Sequence, residues 1–535
     1  MRTDGAADAT SEIPQVTESK TSSTGRSTAL FAIWTAVSRV AGLAREIIAA
    51  HMFGVKGAIN AFVIAFQIPN LLRSLVADAA LSAAFVPMFA RLREEGREEE
   101  ARRLTGALIG LITMVLGGIT LLAIVTAPWV MPFFGWNLPD DQIDNLVGLS
   151  QVMFPIVVLL GLTGLVMGIL QSYGEFASSA FAPVLWNIVI LLGLIGITPF
   201  LEGDQRIYGY AIGILVGTVV QLLYLLPGLR GKGPFPLSLG FGNRHVKTVI
   251  VMMLPVTIGL GMINVNAVVD TFIAQQVSEE SVRAIDAAFR LYILPQGIFS
   301  VAVSTVLFPA LSRMAAREDH DGMGDVITSG TRQIFFLLVP SSVFFAVLAT
   351  PVTRLVFERG EFDAAATALT SDALFYFVFG MVFNGASLLI IRAFFSLQLP
   401  WTPTRIAAAT VALNAVLDLI LIIPFGTGGI PLATSIASFV SFVVLLVVLR
   451  SQIRGIDFGA ILNGFVQTAI ASVFLGAWAF GLWHALDSAL GRSLPAQLLS
   501  VGAAMALSPL AYLAVCRGLG MREVAMLGQL RGKLR

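Results

Sequence analysis

Four arginines lie within stretches of the chain that are otherwise apolar enough to cross a lipid bilayer. They are Arg39, Arg45, Arg73 and Arg290. A charged side chain in the hydrocarbon region is costly unless it faces protein or water, and such residues commonly mark pathways. The guanidinium group offers a planar fork of donors that matches phosphate oxygens. The arginines therefore predict a polar cavity that holds an anionic, phosphorylated substrate.

Acidic residues accompany the arginines of the first two apolar stretches. Glu46 follows Arg39 by seven residues, so both side chains lie on nearly one face of a helix. Arg45 points away from that face on an ideal helix, and Asp78 follows the arginine of the second stretch. A cavity function is favoured for Arg39, Arg45 and Arg73. A structural ion pair with Glu46 is the other interpretation of Arg45.

Asp286 precedes Arg290 by about one helical turn in a later apolar stretch. Pairs at this spacing often form only a local salt bridge. Arg290 nevertheless lies several residues inside the membrane end of its stretch, shortly before Pro295. This position favours a role in the cavity, with Asp286 as a supporting acid.

A second polar group consists of Asp270, Asn414, Asp418 and Thr434. Asn414 and Asp418 are one turn apart on one apolar stretch, Thr434 is on the next, and Asp270 is near the end of an earlier one. These side chains offer only oxygen ligands, which suits a hard cation such as Na⁺. Asn and Thr also form hydrogen bonds between membrane helices. The spacing leaves both interpretations open.

The composition places these groups in a polytopic membrane protein. Of 535 residues, 56% are hydrophobic and 13% charged, with a mean hydropathy of +0.84. A soluble protein of this length cannot bury so much apolar surface. The single cysteine, Cys516, excludes an internal disulfide and a cysteine-built metal site. The net charge of +1 gives no field that would attract nucleic acid.

Motifs for enzymatic chemistry are missing from the sequence. It contains no P-loop, GxSxG or HExxH pattern. The four histidines do not lie beside serine, cysteine or carboxylate clusters at the spacing of a catalytic triad or a metal site. We therefore expect a protein that is not an enzyme and needs no cofactor beyond a possible Na⁺ ion.

Fourteen stretches are long enough to cross the membrane, at roughly 20 residues per crossing. Their predicted bounds in the sequence are residues 27–50, 57–90, 103–134, 144–171, 180–200, 207–228, 248–276, 284–312, 330–353, 366–391, 403–424, 429–450, 459–485 and 495–517.

The distribution of basic residues predicts the orientation. If the amino terminus is cytoplasmic, the connections on that side, with their flanking residues and both tails, hold 24 of the 34 lysines and arginines, as the positive-inside rule requires. Both termini are then cytoplasmic. The outer connections hold fewer basic residues, which are Lys56, Arg206, Arg283, Arg354, Arg359 and Arg492.

An internal repeat divides the chain into two halves. Each copy carries an early proline, a second proline near the end of its span and an arginine four residues later: Pro69, Pro87 and Arg91, then Pro295, Pro309 and Arg313. An even number of spans per half makes the repeats parallel, and transporters of this kind bind substrate between the halves. The predicted fold is an all-α polytopic membrane protein with 14 transmembrane helices, as two six-helix lobes and two extra C-terminal helices.

The predicted domain organisation follows from the spans and the repeat. It comprises a disordered cytoplasmic tail at residues 1–26, an N-lobe at 27–229, a cytoplasmic linker at 230–247, a C-lobe at 248–451, spans thirteen and fourteen at 459–517, and a cytoplasmic tail at 518–535.

Four parts of the sequence resemble the MurJ/MviN-type lipid II flippases of the multidrug/oligosaccharidyl-lipid/polysaccharide exporter superfamily. These parts are SRVAGLAREIIAAHMFG (38–54), PNLLRSLVADAALSAAFVP (69–87), FERGEFD (357–363) and the pair Asn414 and Asp418. The resemblance extends from Thr28 to the carboxyl end. It implies fourteen spans in two lobes, with the last two forming a groove for a polyprenyl tail.

The resemblance also implies roles for individual residues. The cavity arginines of the family correspond to Arg39, Arg45, Arg73 and Arg290, which would engage the pyrophosphate and sugar-peptide head group, and Glu46 and Asp78 stand where the family usually has acids. A sodium site of some members corresponds to Asp270, Asn414, Asp418 and Thr434 with the carbonyl of Ile430. The chain departs from the family at Asn60 and Phe289, where acids are common, and Asp286 can substitute for the second of these electrostatically.

These observations predict a flippase of the bacterial plasma membrane that works by alternating access. Its partners would be lipid II, which is an undecaprenyl-pyrophosphate-linked disaccharide-pentapeptide, and membrane lipids. The head group would move from the inner to the outer leaflet through the cationic cavity while the tail stays in lipid. We expect a monomer.

Three alternatives stay open at this point. The first is an exporter of another polysaccharide-lipid or a drug, although drug exporters usually need acids for cationic substrates. The second is a membrane-embedded glycosyl- or phosphotransferase, which would release product from a lipid-linked precursor. The third is a scaffold that transports nothing and would tolerate neutral residues in place of the arginines.

Overall fold

A computed structural model describes residues 19–76, 79–240 and 242–524 of the chain. Within these ranges it describes all side chains except those of residues 19–32, 73–76, 79–84, 255, 256, 259, 260 and 263. The described backbone consists of helices and short connections and contains no β-strand.

The α-helices are α1 (Ser19–Phe53), α2 (Ala58–Val76), α3 (Ala79–Glu94), α4 (Glu98–Phe134), α5 (Asp140–Met153), α6 (Ile156–Ser172), α7 (Phe176–Gly196), α8 (Arg206–Leu225), α9 (Arg244–Ala274), α10 (Glu279–Ala316), α11 (His320–Val347), α12 (Ala349–Phe357), α13 (Ala364–Ser396), α14 (Trp401–Phe425), α15 (Gly429–Gln452), α16 (Phe458–Leu490) and α17 (Leu494–Gly518).

Polar residues at the helix starts satisfy backbone donors that have no partner within the helix. The Asp363 carboxylate accepts from the backbone N–H of Ala366 at 2.8 Å, and Asp457 caps α16 in the same way through Ala460 at 2.9 Å. The first turn of α4 is acidic, which complements the positive end of the helix dipole. Long apolar runs follow these starts, so the chain forms helices that leave few backbone groups unpaired in lipid.

The order of the helices, with contacts between connections and neighbouring helix ends, places alternate connections on opposite sides of the molecule. The first side, here called the tail side, carries the connections at 95–97, 173–175, 226–243, 317–319, 397–400 and 453–457. On this side Lys232 Nζ pairs with Glu175 at 2.5 Å. The backbone N–H of Asp457 donates to Thr328 Oγ1 at 3.1 Å.

The opposite side, here called the far side, carries the connections at 54–57, 135–139, 197–205, 275–278, 358–363, 426–428 and 491–493. Gln142 Nε2 donates to Asp204 Oδ2 at 2.7 Å, and Asn137 Nδ2 donates to the carbonyl of Gln275 at 2.6 Å. The chain therefore crosses between the two sides repeatedly, as a polytopic membrane protein does.

Ten helical stretches of the described residues are long and apolar enough to span a membrane. The all-helical polytopic class is confirmed, and the alternation of sides is consistent with fourteen crossings. The fourth predicted span, 144–171, consists of two helices, α5 and α6, because Pro155 lacks a backbone donor where the helix would continue. The ninth, 330–353, runs from α11 into the short α12.

Helix α7 packs against both α1 and α8, α10 packs against α11 and α13, and α13 packs in turn against α15. Helices α16 and α17 pack against each other, and α16 also packs on α11. Helix α9 packs against α2 and α3 as well as α14, so it contacts both predicted lobes. The lobe boundaries at 27–229 and 248–451 remain a prediction.

Helices α7 and α8 approach each other closely at small residues, a common way to pack helices in membranes. A Cβ atom added at Gly193 would lie 2.7 Å from the Cα of Gly213. Backbone atoms cannot move aside as a flexible side chain can. The two helices depend on the absence of a side chain at Gly193.

We expect Gly193→Ala to destabilise the protein by about 1–3 kcal/mol because it overpacks this contact. The melting temperature of the purified protein in detergent measures the effect. Gly117→Ala is the matched control, since a Cβ there would meet nothing within 4 Å. An equal melting temperature for Gly193→Ala and the parent protein would contradict the close packing of α7 on α8.

Candidate functional site

A continuous chain of ion pairs joins α1 to α10 near the far side. On α1, Arg45 Nη2 donates to Glu46 Oε1 at 2.8 Å. The other Glu46 oxygen accepts from Arg283 Nη2 on α10 at 3.2 Å. Arg283 Nη1 donates to one Asp286 oxygen at 2.6 Å, and Arg290 Nη2 donates to the other at 3.0 Å. Three guanidinium groups share two carboxylates, so the chain carries one excess positive charge.

The exposure of the charged side chains rises along α1 and α10 from the far side toward the tail side. The side chains of Arg283 and Glu46 are 2% and 5% exposed, whereas that of Arg290 is 38% exposed. Arg39, two turns before Glu46, is exposed, and its guanidinium lies against Gly297 of α10. The charged side chains between α1 and α10 are therefore buried toward the far side and increasingly exposed toward the tail side.

Helix α7 fixes the position of Arg45. Arg45 Nη1 donates to Asn187 Oδ1 at 3.1 Å, and its guanidinium carbon lies 5.1 Å from the centre of a Trp186 ring. The amide nitrogen of Asn187 donates to the carbonyls of Ser38 and Pro183 at 3.3 and 3.0 Å. Arg45 therefore pairs with Glu46 and is held by α7 in this structure, and its role in the cavity remains a prediction.

The start of α10 is fixed to the turn between α1 and α2. The backbone N–H of Arg283 donates to Asn60 Oδ1 at 3.1 Å, while Asn60 Nδ2 donates to the carbonyl of Val55 at 2.8 Å. The Gly57 backbone N–H donates to Glu279 Oε1 at 2.7 Å. Asn60 therefore acts here as a neutral bridge between the two elements.

Arg283 is a site residue that sequence analysis missed. The assignment of Arg283 to an outer connection is wrong, because the side chain is buried within α10 between Glu46 and Asp286. Its spacing in the sequence could have indicated this, since residues three and seven positions apart share a helix face with it, as Asp286 and Arg290 do.

Two predicted site residues are described only in part or not at all. Arg73 belongs to α2, which packs against α9 and α10, but its side chain lies outside the described atoms. Asp78 lies outside the described residues. Their roles as cavity arginine and supporting acid remain predictions.

A second polar cluster joins α9 to α14. Asn414 Nδ2 donates to Asp270 Oδ1 at 2.7 Å and to Asp418 Oδ2 at 3.0 Å. Asn414 and Asp418 are buried. Ile430, whose carbonyl is a further predicted ligand, is buried in α15, one turn before Thr434.

Several oxygens of this cluster have no hydrogen-bond partner among the described residues. They are Asn414 Oδ1, Asp418 Oδ1 and Thr434 Oγ1, all of them buried. Buried oxygens without a donor are costly. A cation coordinated by oxygen would satisfy them, so the donor set fits a hard ion such as Na⁺. The Asn414 amide also forms a hydrogen bond between helices, which is the other interpretation of this cluster.

Comparison with known sequences identifies the family. The family model described as "Lipid II flippase MurJ" matches residues 49–494. A Burkholderia cenocepacia relative named "Lipid II flippase MurJ" is 32% identical over 463 residues, which are 84% of this chain and 88% of the relative. A Bdellovibrio bacteriovorus relative named "Probable lipid II flippase MurJ" is 27% identical over 510 residues, covering 94% and 95% of the two chains.

Comparison with solved structures shows the same fold. The structure titled "Lipid II flippase MurJ, inward closed conformation" superposes with a TM-score of 0.76 at 23% identity, covering 92% of this chain and 99% of that chain. An "Inward-facing conformation of a multidrug resistance MATE family transporter of the MOP superfamily" gives a TM-score of 0.68 at 14% identity, covering 80% and 96%. The family model extends over most of the sequence, and this chain belongs to the lipid II flippase MurJ family.

Proposed function

We propose that this protein flips lipid II from the inner to the outer leaflet of the plasma membrane by alternating access. The observation that carries the proposal is the set of arginines between α1 and α10, of which Arg39 and Arg290 are the more exposed. Guanidinium groups at membrane depth suit a pyrophosphate. The protein acts as a monomeric transporter without enzymatic activity.

The tail side faces the cytoplasm in this proposal. Together with the helix ends that flank them and the two terminal tails, its connections hold 24 of the 34 lysines and arginines, which supports cytoplasmic termini. Lipid II made at the inner leaflet then meets a cleft that is accessible from its own side. The membrane potential, negative inside, favours outward movement of an anionic head group by about 2.3 kcal/mol per charge per 100 mV.

The two carboxylates of the ion-pair chain provide the release step. While the far side is closed, Glu46 and Asp286 neutralise most of the charge of Arg45 and Arg283. Opening of the far side separates Glu46 from Arg283 and leaves α1 and α10 with one carboxylate each. Asp286, which already accepts a hydrogen bond from Arg290 at 3.0 Å while the far side is closed, stays beside Arg290 and competes with the pyrophosphate for it, so that the head group can leave outward.

The oxygen cluster of α9, α14 and α15 binds Na⁺ in this proposal. Asp270, Asn414, Asp418, Thr434 and the Ile430 carbonyl supply the ligands, and the unpartnered oxygens support the assignment. Because α9 also packs on α2 and α3, an ion bound there acts on a helix that contacts both halves.

We expect Arg290→Ala to reduce lipid II flipping about 10- to 100-fold, since a hydrogen bond to a charged group contributes about 1.5–3 kcal/mol. Arg290→Lys should restore part of the rate, because it keeps the charge but loses the planar fork. Leaflet-resolved accessibility of lipid II in cells depleted of their own flippase is the measurement. Arg492→Ala, which removes an exposed arginine, is the control. Normal flipping by membrane-inserted Arg290→Ala would exclude this residue from substrate binding.

We expect Glu46→Gln to destabilise the protein by about 3–5 kcal/mol, because Arg45 and Arg283 then stay buried without their carboxylate. The double variant Glu46→Gln/Arg283→Gln should lose less stability than the sum of the two single variants. Thermal unfolding of the three purified variants tests the coupling. Additive losses would show that the two side chains do not form the buried pair described here.

We expect Na⁺ to raise the melting temperature of the purified protein relative to choline at equal ionic strength, and Asp418→Asn to abolish this increase. A ligand at 100 times its dissociation constant stabilises the folded state by about 2.7 kcal/mol. Asp325→Asn, which changes an exposed carboxylate on the tail side, should respond to Na⁺ as the parent does. A parent protein that is indifferent to Na⁺ argues against the cation site.

A further inference from the structure

The loop at 358–363, within the FERGEFD motif, contacts the carboxyl end of α1. The backbone N–H of Glu361 donates to the carbonyl of His51 at 3.0 Å. The loop connects α12 to α13 in the second half of the chain, whereas α1 belongs to the first half. This backbone contact therefore joins the two halves on the far side.

Two glycines with left-handed backbones allow this contact. Gly360 has a φ of +61°, and a Cβ added there would collide with the ring and the carbonyl of His51. Gly54 has a φ of +58°, and its Cβ would collide with the carbonyl of Glu361. Residues with a side chain are strained in this conformation, and here no space exists for one. The turns at Gly54 and Gly360 fit against each other only because both positions are occupied by glycine.

The loop itself is fixed firmly to the second half. Phe357, which precedes the loop, and Phe362 within it are fully buried and pack with ring centres 5.5 Å apart. Asp363 caps α13 through the backbone N–H of Ala366 at 2.8 Å. The loop is therefore packed with α12 and α13 as one unit of the second half.

The loop also acts at the same end of α1 as the ion-pair chain. Glu46 precedes His51 by five residues on the same helix and meets Arg283 of α10. A contact that fixes His51 thus helps to position Glu46. The buried ion pair and the backbone contact hold α1 against two different elements of the second half.

We propose that the loop at 358–363 is a latch that holds the far side closed and must part from His51 before the cleft can open there. The proposal rests on the alternating access proposed above. The latch works through backbone shape and not through charge, so high salt does not release it.

A first experiment tests the latch without using transport. Hydrogen exchange of the purified full chain is compared for the parent protein, Gly360→Ala and Gly174→Ala. Gly174 has a φ of +81° but no atom within 4 Å of an added Cβ, so it carries the same backbone strain without the contact. We expect faster amide exchange at the end of α1 only in Gly360→Ala. Unchanged exchange there would overturn the proposal.

A second experiment tests whether the latch must open during transport. His51→Cys/Glu361→Cys is made in a Cys516→Ala background and reconstituted with lipid II in vesicles. We expect oxidation to reduce flipping at least tenfold and a reductant to restore it. Gln142→Cys/Asp204→Cys, which links two far-side elements of the first half, is the control and should flip in both states.

The outcomes of the second experiment separate the latch from the transport function. Full flipping by the oxidised His51→Cys/Glu361→Cys protein, or failure of these cysteines to cross-link, overturns the latch. Absence of flipping in the Cys516→Ala parent overturns the proposed function instead, and hydrogen exchange then decides on the latch alone.

Discussion

The burial of Glu46 between two guanidinium groups is the constraint on which the cleft depends. A carboxylate that is 5% exposed in a membrane protein is stable only when paired and hydrogen-bonded. Arg45 and Arg283 provide that pairing from opposite helices. Asn187 holds the first arginine and Asn60 the backbone of the second. The far-side end of the cleft therefore depends on the buried Glu46 carboxylate, which is stable only with its arginine partners.

In the proposed function, the same chain of charges lets the opposite end of the cleft accept an anion. Two carboxylates cannot neutralise three arginines, and the excess charge resides toward Arg290, where exposure is greatest. Arg39 adds a further exposed guanidinium on α1. The two ends of the cleft therefore differ. The charge is balanced where the side chains are buried, and positive charge is in excess where they are exposed. Alternating access needs such a difference between its two ends.

Composition and periodicity were sufficient to predict the class of fold, because uninterrupted apolar runs in a membrane can only form helices or closed barrels. The cost of intramembrane charge alone singled out Arg39 and Arg290, and the structure places Arg39 against α10, which carries Arg290, although their role in substrate binding remains a prediction. The buried position of Arg283 could not be predicted in this way, because the residue lies near a predicted span end, where a basic residue is ordinary. Its burial depends on Glu46, a residue 237 positions away in the sequence. The contact of Gly360 with His51 was equally inaccessible, since it depends on how two distant turns meet.

A photoreactive lipid II analogue provides the most direct test, with its reactive group beside the pyrophosphate. After irradiation of the reconstituted protein, the labelled peptides are identified by mass spectrometry. The account predicts labelling of the α1 and α10 segments around Arg39 and Arg290, with loss of the label when unlabelled lipid II is in excess. Labelling confined to other helices, or labelling that lipid II does not displace, would contradict a pyrophosphate-binding cleft between the two halves.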